Sequence, residues 1–139
     1  MTITDDEVAA IRAATDAGLA YRQSLGTRVI SPTMLPDAAR TAFDGPLSET
    51  GIPAPQIIDQ IVQTGEAGLM QHCSPRFFGY VVGASHPVGL AADILMGAWA
   101  QVTGYNATSP TTAAIENTLC QWVINLLRLP PDSGAGIVT

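Results

Sequence analysis

Ser74-Pro75-Arg76-Phe77-Phe78-Gly79-Tyr80-Val81-Val82-Gly83 is the stretch on which the reading of this chain turns. It is a short apolar and aromatic run closed by glycine, so its composition predicts a strand or a buried extended segment. On both sides the pattern is helical. Before it, Ile57, Ile58, Ile61 and Val62 recur at helical spacing and predict a helix over 56–70. After it, Pro87 suits the first position of a helix running to about Val102. Leu90, Ala91, Ile94, Leu95, Ala98 and Trp99 place apolar groups on more than one face of that helix, which predicts burial on several sides. Ser109-Pro110 reads as an N-cap followed by proline at the first helical position, opening a helix to about Leu129 that Pro130-Pro131 stops.

Further out, Thr4-Asp5-Asp6-Glu7 is a capping box with extra carboxylates over the positive end of a helix. Val8, Ile11, Thr15, Gly18, Tyr21 and Leu25 draw one apolar stripe along 5–25, ended by Gly26. That stripe needs a partner surface, and the short second segment offers little, so it is expected to pack on another chain. Residues 27–56 hold Pro32, Pro36, Pro46, Pro53 and Pro55 with Gly45 and Gly51, which predicts extended chain around a short helix near 36–43. At the other end Ala135-Gly136-Ile137-Val138-Thr139 reads as the start of a β-branched strand, an ending that predicts a continuing chain. The sum is a mainly α segment with one or two short strands.

Composition narrows the chemistry. The 139 residues carry 6 basic and 12 acidic side chains, a formal charge of −6, with 47% apolar and 13% charged content. One domain's worth of chain with a core is expected, not a disordered acidic tail. Nucleic acid and anionic membrane both require clustered cations, so neither is the expected partner. All six basic residues are arginines: Arg12, Arg22, Arg28, Arg40, Arg76 and Arg128. The chain by itself therefore excludes any mechanism needing its own lysine amine or a phosphate-loop lysine. Cys73 and Cys120 form neither a disulfide framework nor a zinc spacing, which predicts a reduced, cytoplasmic setting and no metal. The acidic N-terminus does not resemble a signal peptide, and no apolar run approaches the roughly 20 residues that span a bilayer.

Five ordered blocks now align with a family. Ser74 to Tyr80, Leu90-Ala91-Ala92-Asp93, Ser109-Pro110 with Ile115-Glu116, Trp122, and Leu126-Leu127-Arg128-Leu129-Pro130 resemble the N-terminal part of the group II pyridoxal-phosphate-dependent decarboxylases. The resemblance covers roughly 28–139. It implies an aspartate aminotransferase-like α/β enzyme (the type I fold of pyridoxal-phosphate enzymes), with 1–70 as a helical dimer clasp and 71–139 as the start of the cofactor-binding large domain. It implies a homodimer acting on a small amino acid, with the rest of the enzyme as this segment's partner. Tyr80, Val81, Gly83, Val102 and Tyr105 are implied to line the substrate pocket. Thr139 would stand where the cofactor phosphate loop begins, and the catalytic residues would lie outside these 139. The family's aromatic, proline and threonine after the Tyr80 position are replaced by Val81, Val82 and Gly83. Gly104-Tyr105-Asn106 resembles the element that reaches the neighbouring subunit's pocket.

Structural roles compete for several of these residues. Tyr80 suits a core or interface tyrosine and Tyr105 a loop packing residue. His72 and His86 are acid–base groups by type, but neither has a carboxylate or thiol at a recognisable spacing. Asp93 and Glu116 suit capping or pairing, Cys73 and Cys120 small buried hydrophobes, and Gly79 and Gly83 close packing or a turn. Two other functions stay open beside the decarboxylase: an aldehyde synthase or other lyase on the same scaffold, and a non-catalytic fragment or helical interaction module.

Overall fold

The computed structural model describes residues 2–47, 49–102 and 106–137. Among the described residues there are helices and no strand, in two compact units, 1–85 and 86–139.

In the first unit α1 spans Asp5–Ser24, α2 Pro36–Phe43 and α3 Ala54–Gly65, followed by a single 3-10 turn, Glu66–Gly68. The capping box at Thr4 is complete. The Glu7 amide donates to Thr4 Oγ1 at 3.2 Å, and the Thr4 amide donates back to Glu7 Oε2 at 2.8 Å. The Thr4 hydroxyl also donates to Glu7 Oε2, at 2.9 Å, and these two bonds to the carboxylate, from the Thr4 amide and hydroxyl, favour its ionised form and hold Glu7 below the usual glutamate range. The expected helix over 56–70 begins earlier and tightens into the 3-10 turn at Glu66.

α1 does have a partner within its own unit, which corrects the expectation that its stripe must wait for another chain. It packs along α3, and Asp6 Oδ2 accepts the Ala54 amide at 2.8 Å, placing a carboxylate on the open N-terminus of α3. The partnership is incomplete. No residue of α1 or α3 is buried, Ile11 stays 55% exposed, and an apolar groove of about 500 Å³ runs beside Thr2, Ile3, Ala10, Ile11 and Ala54.

In the second unit α4 spans Pro87–Trp99 and α5 Pro110–Leu126. Proline stands in the first turn of each, as the sequence predicts. The ends rest on non-glycine residues in the left-handed region. Ala100, at φ 47°, donates its amide to Met96 O at 2.9 Å. Arg128, at φ 54°, and Leu129 donate to Asn125 O and Ile124 O at 3.1 and 3.0 Å, the paired bonds of a Schellman ending. Ser109 is not a conventional cap: its hydroxyl accepts from Thr112 Oγ1 at 2.6 Å and takes no backbone amide. One face of α5 is buried, through Thr112, Ala113, Cys120 and Ile124. No residue of α4 is buried, against the expectation of burial on several sides.

Among the described residues the buried apolar set is Leu25, Ala113, Cys120 and Ile124, small for a chain that is 47% apolar. Exposed apolar area on this scale is characteristic of interaction surfaces and ligand grooves.

The Glu7 pair gives α1 a defined pH dependence. A carboxyl whose folded pKa is depressed stabilises the fold above its unfolded pKa, and that contribution disappears as pH falls through the folded value. The protection of the Glu7 and Val8 amides, their exchange measured against the intrinsic rate at the same pH, should therefore fall on acidification below the ordinary glutamate range. Glu7→Gln should remove that acid-driven step while leaving neutral-pH helix content nearly unchanged.

Candidate functional site

The site is built on the end of α1. Leu25, Gln71 and Ser74 are the buried residues of the first unit among those described. The Gln71 amide donates to Ile30 O at 3.0 Å, and Ser74 Oγ donates to Leu25 O at 3.3 Å, so the chain after the 3-10 turn is laced onto the chain leaving α1. Ser74 Oγ also accepts the Arg76 amide at 3.3 Å. These bonds keep 71–85 with the first unit, and the compact units part after Ser85.

Arg28 fastens the crossing. Its Nε donates to Ser24 Oγ, its Nη1 to Glu66 Oε2 at 2.6 Å, and its guanidinium lies 4.8 Å from the Tyr21 ring centroid. The Arg28 carbonyl in turn accepts from Arg76 Nη2. A groove of about 290 Å³ beside Arg28, Thr33, Glu66, Leu69 and Gln71 lies against this crossing.

From the crossing the sequence throws out an aromatic row. His72 meets Phe77 edge to face with ring centroids 5.0 Å apart, and Phe77 stacks on Tyr80 at 6.4 Å. The row is displayed, not buried. Phe78 is 93% exposed, Tyr80 77%, and Val81 fully. The expected strand or buried extended segment over 76–83 is therefore replaced by an exposed turn, with no second strand among the described residues to pair it. Its left-handed residues are Tyr80, at φ 60°, and Val81, at φ 52°. Neither flanking glycine adopts that conformation, and Gly83 faces open space. A β-branched residue in this region is strained by roughly 1–2 kcal/mol.

The turn closes at Ser85. Arg22 Nη2 donates to Ser85 O at 2.9 Å and Nη1 reaches Ser85 Oγ at 3.5 Å, while Cys73 Sγ lies 3.6 Å from the same hydroxyl. Burial alone would raise the Cys73 thiol, but the Ser85 hydrogen bonds and the Arg22 charge outweigh it and hold the thiol below its ordinary value. Cys73 is only half-buried, unlike the small buried hydrophobe expected; Cys120 is buried as expected.

Of the residues implied to line a pocket, Tyr80, Val81 and Gly83 share this turn in the first unit, and Val102 lies exposed after α4 in the second. Tyr105 and Thr139 fall outside the described residues. His86 serves as the N-cap of α4, its Nδ1 accepting the Val88 amide at 3.2 Å. Sequence reasoning missed Arg22, Arg28 and Ser85. Apart from the Arg28 bond to Ser24, the contacts that make them matter here span 63, 38 and 63 residues, so no local spacing marks the crossing or the Ser85 tie. Among the described residues no cluster of ligating side chains could hold a metal, and no helix is long and apolar enough to cross a membrane. With no lysine in the chain, the described residues do not by themselves make a site for pyridoxal phosphate.

The chain is similar to an aromatic-L-amino-acid decarboxylase of Cavia porcellus, 28% identical over 84% of this chain and 24% of the relative. It is 25% identical to a 4-hydroxyphenylacetaldehyde synthase of Rhodiola rosea, again over 84% of this chain and 24% of the relative. An aromatic-L-amino-acid decarboxylase of Manduca sexta is 25% identical over 86% of this chain and 23% of the relative. The chain thus spans about a quarter of the length of the curated relatives it matches. No family model and no solved structure matches it.

The Cys73 geometry has a direct readout. Iodoacetamide should modify Cys73 well before Cys120, with a rate that levels off below the pH at which an ordinary thiol ionises. Ser85→Ala should move that pH profile upward, and mass spectrometry of the two cysteine peptides over a pH series measures both effects.

Proposed function

We propose that this chain is the N-terminal part of a pyridoxal-phosphate-dependent amino acid decarboxylase, cytoplasmic and homodimeric. In this reading 1–70 is the helical clasp and 71–139 the start of the large domain of an aspartate aminotransferase-like enzyme. The observation that carries the reading is the similarity to aromatic-L-amino-acid decarboxylases over 84% of the chain. The exposed apolar faces support it, because a clasp needs such faces.

Pyridoxal phosphate, when bound, supplies the electron sink for loss of the substrate α-carboxylate. Its lysine and its phosphate loop come from residues outside this chain, with Thr139 at the approach. The chain's own residues have a different task. Tyr80 offers a ring face to an aromatic substrate side chain and a hydroxyl to orient it. Val81 and Gly83 continue that surface along the same turn and would help keep water from the reacting carboxylate, while Val102 and Tyr105 are each proposed as substrate contacts in their own right. The similarity to a 4-hydroxyphenylacetaldehyde synthase favours a second reading, in which the same surface serves a decarboxylation coupled to oxidation by dioxygen, releasing an aldehyde with ammonia and hydrogen peroxide instead of an amine.

The test is made on the full-length protein carrying this sequence, supplied with pyridoxal phosphate and L-tyrosine. Tyramine with carbon dioxide supports the decarboxylase and 4-hydroxyphenylacetaldehyde the synthase; if tyrosine is not turned over, the same assay with L-phenylalanine, L-tryptophan, L-glutamate and L-cysteine sulfinate decides, and turnover of none overturns both. Tyr80→Ala should raise KM about tenfold, the equivalent of about 1.4 kcal/mol, and an unchanged kcat/KM would remove Tyr80 from the wall.

The clasp has its own experiment. Burying an isoleucine is worth roughly 1.5–3 kcal/mol, so Ile11→Asp should shift the full-length protein from dimer toward monomer in sedimentation. A dimer of undiminished stability would count against the clasp.

A further inference from the structure

The turn that carries Tyr80 is held at its two ends by arginines. At the near end Arg76 is tied to the Arg28 carbonyl, and at the far end the Arg22 guanidinium grips the carbonyl and hydroxyl of Ser85. Between the two ties the backbone passes through the left-handed region at Tyr80 and again at Val81. Non-glycine residues keep such a conformation only where their surroundings over-determine it. Here the side chains of 78 and 81 are almost wholly exposed, so packing around the tip supplies little of that constraint. The ties at the ends must supply it. Arg22 is well suited, because its base is set in the last turn of α1 and its planar fork reaches two acceptors on one residue.

We propose that Arg22 is the positioning residue of the Tyr80 turn: by gripping Ser85 it fixes where the segment returns to the first unit and so the direction in which Tyr80 is presented. The proposal rests on the reading of Tyr80 as pocket wall. Arg22 touches neither substrate nor cofactor in this role. A merely structural alternative has Arg22 acting only as a cation at the C-terminal end of the α1 dipole. That alternative predicts a loosened α1 on substitution, with the turn following the helix.

The experiment compares Arg22→Ala and Arg22→Lys in the full-length protein by limited chymotryptic cleavage at the turn, by hydrogen exchange of the helices and by steady-state kinetics with the amino acid the protein turns over. Arg22→Ala should speed cleavage after Phe78 and Tyr80 several-fold while the amides of α1 and α3 keep their protection. It should raise KM about tenfold with kcat nearly unchanged, since a misdirected wall weakens binding before it alters chemistry. Arg22→Lys keeps a donor for Ser85 O and should recover most of both effects. Unchanged cleavage at Phe78 and Tyr80 in Arg22→Ala overturns the proposal. So does a loss of protection spread along α1, or a parallel fall in kcat that lysine does not rescue. If the unsubstituted protein turns over no amino acid, the decarboxylase reading fails by itself, and the cleavage pattern alone decides whether Arg22 directs the turn.

Discussion

The Arg28 guanidinium is the constraint on which the first unit depends. Three pieces of chain that are distant in sequence meet at it: the end of α1 through Ser24 and Tyr21, the 3-10 turn through Glu66, and the approach to the aromatic row through Arg76 on its carbonyl. Its strength does not lie in charge alone. The Arg28 and Glu66 side chains are 26% and 32% exposed, and pairs of that kind typically contribute about 0–1 kcal/mol. What the residue adds is direction, because a planar group with several fixed donors accepts few arrangements of its partners. A lysine would keep the charge and lose the crossing.

Around that polar crossing the helices form by local rules but bury little. α1, α3 and α4 contain no buried residue, yet each has its cap, its proline start or its left-handed ending in place. Secondary structure and core are therefore separable in this chain. Isolated helices of 12 or 13 residues are marginal in water, and most helical stability comes from packing an apolar face. The exposed rows at Ile57 and Ile61 on α3, and Ile94, Leu95 and Trp99 on α4, are what the rest of a larger assembly would cover.

What the sequence makes legible follows from the range of the interaction. Helix starts depend on a few neighbouring residues, so Thr4 with Glu7, Pro36, Pro87 and Pro110 mark them to within a residue or two. Strand formation depends on a partner that may lie anywhere, so the aromatic and β-branched content of 76–83 pointed to a strand or a buried segment where an exposed turn stands. The close packing or turn that Gly79 and Gly83 suited is there, with Gly79 close against the Phe77 ring. The unusual backbone angles fall on Tyr80 and Val81, because the ties at Arg76 and Ser85 set the path between them. Those ties join residues dozens of positions apart, and composition carries no trace of them. That Tyr80 would be displayed on an exposed turn was not legible in the sequence.

The contact between Asp6 and the Ala54 amide has a mechanical consequence. A helix pair held only by apolar side chains can slip along its length, since one row of isoleucines resembles the next. An α-helix advances 5.4 Å per turn, so a slip of one turn would carry the carboxylate beyond hydrogen-bonding reach of the amide now 2.8 Å away. Asp6 therefore acts as a detent between α1 and α3. Whatever surface meets this pair encounters Ile11 and Ile61 at one fixed spacing, as a key meets a cut already filed.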